Sequence, residues 1–105
     1  MSHELNILST KAKAIEKTLS GMPDAEKAKR PSLEFGKDYN SLRCDVLKAM
    51  SDHPEIHSKF PPSVEVYQDE YEAYTKARYV EIHSYVSQIS GFIEMVLNDG
   101  RENSK

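Results

Sequence analysis

The sequence predicts an all-α fold, a small helical bundle or hairpin of three main helices with coiled-coil-like seams. Three observations predict it. Apolar residues recur at three- and four-residue intervals through residues 3–20, 31–50 and 70–98, the spacing that lines one face of a helix. Glycine or proline punctuates the ends of these segments,. The one alternating stretch, Val64-Glu65-Val66-Tyr67, has no evident partner strand, so no sheet is expected.

In the first segment Leu5, Leu8, Ala12, Ile15, Leu19 and Met22 follow one another at spacings of three and four. That is a narrow a/d seam rather than the wider stripe of a globular helix. Gly21-Met22-Pro23 stops it, with glycine expected to take the left-handed cap and proline unable to continue the helix. The second segment opens on Pro31, which suits a first helical turn. One face carries Phe35, Tyr39, Leu42, Val46 and Ala49 or Met50, and a second carries Leu33, Cys44 and Leu47. Two apolar faces mark a central helix, or a helix with one face kept for a partner. Gly36 costs about 1 kcal/mol in a helix interior, which moves the expected start toward Asp38.

Residues 51–63 read as a connector. Asp52-His53-Pro54 starts a helical turn carrying Ile56 and Phe60, and Pro61-Pro62 then enforces extended backbone,. In the third segment Asp69 and Glu72 have capping-box spacing. Tyr71, Tyr74, Arg78, Ile82, Tyr85, Ile89, Phe92 or Ile93, and Val96 follow on one face, and Asn98-Asp99-Gly100 is the expected stop. A helix over 70–98 would be about 44 Å long, against a radius of gyration of about 13 Å for a domain of this size. It therefore either breaks near Tyr74-Thr75 or projects against another molecule.

The 105 residues, 12.0 kDa, make one helical domain over residues 1–100 with a polar tail at 101–105, and exclude a two-domain enzyme,. Apolar content is 38% and charged content 30%. No apolar run approaches the ~18 residues of a membrane span. Charge from Glu4 onward argues against a signal peptide,. The single Cys44 fits a reducing, cytoplasmic setting,. The net charge of −3 is uneven: +2 over residues 1–30, −1 over 31–63 and −4 over 64–105. No DNA partner is expected from this pattern. The one basic cluster, Lys27, Lys29 and Arg30, reads as a solvated linker. His53 and His57 are four apart, but Pro54 and the lack of further ligands leave no metal site expected,. Cys44 reads as a contact residue, and no glycine-rich phosphate loop is present,. No cofactor is expected.

One short motif is more specific. Arg78, His83 and Tyr85 stand in the order RxxxxHxY. This resembles the signature of the HEPN superfamily, small all-α proteins that often dimerise and include RNA-cleaving toxins. The resemblance covers eight residues. It implies a metal-independent ribonuclease with His83 as general acid or base, Arg78 as phosphate binder and Tyr85 as a supporting contact, and RNA as the partner. Residues five apart on a straight helix diverge by about 140°, so such a site would need a helix break or a second protomer.

The residues themselves favour a non-catalytic interaction or oligomerisation module, a homodimer or a subunit of a larger assembly. Leu8, Ile15, Tyr71, Tyr85 and Ile89 are the expected interface contacts. A third reading is an acidic inhibitor or immunity-type protein, which the acidic second half of the chain permits.

Overall fold

The computed structural model describes residues 2–103. Its elements, in chain order, are α1 (Ser2–Ser20), α2 (Asp24–Lys27), α3 (Leu33–Ala49), α4 (Pro54–His57), β1 (Val66–Gln68), β2 (Ala73–Thr75) and α5 (Tyr79–Asn103). The fold is mostly helical, with one two-stranded antiparallel sheet that the sequence reading did not include.

The apolar residues of the first segment lie on the inward side of α1, with Ser9 buried beside them. Leu5, Leu8, Ala12 and Leu19 are buried, and Ile15 is half-buried. The helix ends by a different device than expected. No glycine takes a positive φ; the amides of Gly21 and Met22 bond back to Lys17 and Leu19, and Pro23 then turns the chain into α2.

The second helix starts earlier than Asp38. Ser32 adopts extended backbone and its hydroxyl accepts from the Phe35 amide at 3.2 Å, so α3 begins at Leu33,. Gly36 lies inside the helix for a reason outside it. A Cβ there would overlap the hydroxyl of Thr75 and come within 3.0 Å of its Cβ. Thr75 is fully buried and donates to the Ser32 carbonyl at 2.6 Å. The β-hairpin thus lies directly on the N-terminal turns of α3.

The two-faced reading of α3 is half right. Tyr39, Leu42, Val46 and Met50 are buried in the main core. Segment 61–64 and the hairpin cover the flank beside it, where Tyr39 also donates to the Pro62 carbonyl. There the Asn40 amide exchanges two 2.9 Å hydrogen bonds with Val64, and the Arg43 Nε donates to the Pro61 carbonyl at 2.8 Å. Of the second apolar face, Leu33 is buried and Leu47 half-buried. Cys44, expected as a contact, is exposed; it lies about 140° around the helix from Tyr39, past the flank that segment 61–64 covers.

The long third helix breaks where a break was expected. Tyr74 and Thr75 belong to β2, and α5 starts only at Tyr79. The Glu81 carboxylate accepts from the Arg78 amide and caps that start,. At its other end α5 runs through Asn98-Asp99-Gly100 to Asn103. A left-handed turn at Gly100 would have ended the helix, but the helical backbone continues through it. Residues 101–103 are helical rather than tail, and 104–105 lie outside the described residues.

Ile82, Val86, Ile89 and Ile93 form the fully buried stripe of α5. Each contributes about 1.5–3 kcal/mol through burial. Contacts between Ser20 and His83, Glu16 and Ser87, and Lys13 and Glu94 descend one helix as they climb the other, so α1 and α5 are antiparallel. Ring contacts of Phe35 with Tyr79 and Tyr39 with Tyr85 rise together, so α3 and α5 run the same way. The crossover between them carries α4 and the hairpin. Ile56 and Phe60 lie on it as predicted, Ile56 buried and Phe60 stacked on Phe92 at 5.6 Å. The molecule measures 55 × 27 × 21 Å, stretched along its terminal helices. No helix among the described residues is long and apolar enough to cross a membrane.

Candidate functional site

The residues of the hairpin are suited to strands, with β-branched or aromatic Val66, Tyr67, Tyr74 and Thr75 on the two sides,. Tyr67 pairs with Tyr74 across the ladder, rings 5.2 Å apart. The Arg30 guanidinium lies 5.3 Å from the Tyr74 ring centroid,. Asp69 closes the loop. Its carboxylate accepts from the amides of Tyr71 and Glu72, both at 2.8 Å, and from the Tyr67 hydroxyl. The capping-box spacing of Asp69 and Glu72 is therefore used, but for a turn instead of a helix start. The result is an ordered tip that holds Tyr71 at 87% exposure between the exposed Glu70 and Glu72.

The bond from Tyr67, and then those from the backbone amides, hold the Asp69 carboxyl below its ordinary value, and the same bond raises the Tyr67 phenol. A depressed carboxyl contributes its stabilisation above the unfolded value, about pH 4, and loses it as pH falls through the folded value. On acidification the amide resonances of Tyr71 and Glu72 should move below about pH 4, before the core unfolds. Asp69→Asn should remove that transition. Resonances that stay fixed until global unfolding would show that Asp69 does not hold the tip.

Arg78, His83 and Tyr85 are set by three different neighbours. The Arg78 guanidinium donates to the Ala28 carbonyl after α2. His83 Nε2 is 3.3 Å from the Ser20 hydroxyl at the end of α1. Tyr85 is half-buried against Tyr39 of α3. One chain does not gather the three into a cluster. It does bring basic residues together in a way the sequence reading missed. The Thr75 amide bonds to Pro31 and the Tyr79 amide to Lys29, which lays Lys29 and Arg30 beside Lys76 and Arg78. Lys29 pairs with Glu26 and Lys76 with Glu65, so part of this charge is neutralised. A pairing between distant segments left no sign in either segment alone.

Of the expected interface contacts, Leu8 and Ile89 are buried within the chain, Tyr85 is half-buried, and Tyr71 is open to solvent. Ile15 borders a shallow groove of 360 Å³ between α1 and α3, together with Leu42, Lys11, Asp38 and Asp45. Ile7, Val80 and Met95 are the other large apolar residues, besides Val66, that lie exposed among the described residues. His53 and His57 face different partners, Glu55 and the Met50 carbonyl. No group of three or more potential metal ligands occurs among the described residues.

No known family model, curated protein or solved structure matches the chain.

Proposed function

We propose that the protein is a small, non-catalytic interaction module of the cytoplasm, acting as a homodimer or as a subunit of a larger assembly, without a cofactor and without DNA. The observation that carries this reading is Tyr71. A phenol at 87% exposure on a loop fixed by its own hydrogen bonds is pre-organised for a pocket, and tyrosine is enriched among residues that dominate binding energy. The flanking carboxylates favour a partner with a cationic rim. The inhibitor reading belongs to this same surface, since an acidic tip would occupy a basic site.

Tyr71→Ala should leave stability within about 0.5 kcal/mol, because the side chain touches little. It should also release any protein that copurifies stoichiometrically with the wild-type chain from its host. Copurification that survives Tyr71→Ala would remove the hairpin tip from the proposal.

The ribonuclease reading draws on the meeting of segments 28–31 and 75–79 at the end of the molecule that holds Arg78 and His83. Under that reading purified protein cleaves RNA, and His83→Ala stops cleavage without changing stability. Under the module reading no cleavage occurs.

A further inference from the structure

The outward face of α5 differs from the rest of the surface. The chain is 30% charged, yet no Lys, Arg, Asp or Glu lies between Glu81 and Glu94. Val80, Ser84, Gln88, Gly91 and Met95 recur on one stripe of the helix,, and all five are exposed. Val80 and Met95, at its two ends, are 49% and 52% exposed. Gly91 is the least explained residue of the fold. Glycine in an exposed helix interior costs about 1 kcal/mol relative to alanine, its φ is not positive, and a Cβ there would meet nothing within 4 Å. Nothing inside the chain requires a glycine. Close approach of another backbone does.

The stripe is also self-complementary. In an antiparallel pair of α5 helices with its two-fold axis between Ser87 and Gln88, Val80 falls opposite Met95 of the second copy. Ser84 then falls opposite Gly91 of the second copy. The large end residues meet each other, and the small residues meet where the backbones must be near. Charge does not oppose the pairing. Glu81 and Glu94 lie on opposite flanks of the stripe, and an antiparallel pair brings like flanks together. Glu94, which Lys13 of its own chain already pairs, is then level with Glu81 of the second copy but on the other flank, so the carboxylates do not meet. Such a pattern suits a two-fold interface, in which one patch must match itself.

We infer that the protein self-associates through α5, antiparallel, about a two-fold axis at Ser87–Gln88. This rests on the reading of the chain as an interaction module, and it names the second copy as one partner. The stripe from Val80 to Met95 is about 23 Å long, a small contact, so association is weak and rises with concentration.

Sedimentation equilibrium of the full chain from micromolar to millimolar concentration tests it. Wild type should show a reversible monomer–dimer equilibrium. Gly91→Ala should raise the Tm of the dilute protein while weakening dimerisation by about tenfold; a merely structural glycine would not separate the two. Gly91→Arg should be monomeric and folded. In a Cys44→Ser background, Gln88→Cys should give a disulfide-linked dimer on mild oxidation, and Thr10→Cys should not. A wild-type monomer at millimolar concentration, or dimerisation unchanged by Gly91→Arg, would overturn the inference. A wild-type monomer would remove the homodimer from the module reading but not the subunit of a larger assembly, which copurification with a host protein tests separately. Dimerisation lost in Tyr71→Ala instead would move self-association to the hairpin and equally overturn the α5 interface.

Discussion

Gly36→Ala is expected to lower the Tm by roughly 10–20 °C, a loss of about 2–3 kcal/mol. The direction is the opposite of what the helix alone would give, because alanine is the better helix former by about 1 kcal/mol. The overlap with Thr75 decides the sign. Thr75 cannot retreat easily, since it is fully buried, its hydroxyl holds Ser32, and its amide holds Pro31. The loss should therefore appear as lifting of the hairpin from α3. A double-mutant cycle with Thr75→Ala checks this. The second change makes room for the new methyl, so the double variant should be more stable than the sum of the two losses predicts. Strict additivity in chemical denaturation would show that the contact is not the cause.

Ile89→Ala should cost about 2–5 kcal/mol. Ile89 has no exposed surface and belongs to the core cluster that α1, α3 and α5 share. The neighbouring side chains come from separate elements, so they cannot all collapse into the space left behind. The measured loss should be independent of protein concentration. A loss that grows on dilution would instead mean that Ile89 supports assembly, as its place among the expected interface contacts would require. Ile89→Ala and Tyr71→Ala thus form a matched pair, one acting on folding alone and the other on association alone.

The helical faces were legible in the sequence because each depends on local spacing. Leu5, Leu8, Ala12 and Leu19, and again Tyr39, Leu42 and Val46, lie on the buried sides that three-and-four periodicity assigns. The break near Tyr74-Thr75 was legible from length, since an unbroken helix was too long for the domain. The hairpin was not. Tyr71, Tyr74 and Arg78 keep helical spacing even though the first two sit in a loop and a strand. Asp69 satisfies amides two and three residues ahead in a turn much as it would at a helix start. Gly36 was read as a weakness of α3, because its contact, Thr75, is remote in the chain. In the site, Tyr71 was among the residues singled out, and its exposure follows from the turn that spacing could not reveal. The convergence of Lys29 and Arg30 with Arg78 depends on backbone bonds between distant segments, for which side-chain composition carries no signal.

The antiparallel pairing of α1 with α5 has a consequence for how the protein is made. α1 leaves the ribosome well before α5, the helix it is matched to. At roughly 5–20 residues per second, α1 waits about 3–12 s for its partner to be synthesised. Throughout that interval Leu5, Leu8 and Leu19 have no α5 to cover them. The nascent chain accordingly offers chaperones a sticky amphipathic helix until translation reaches Ile82–Ile93.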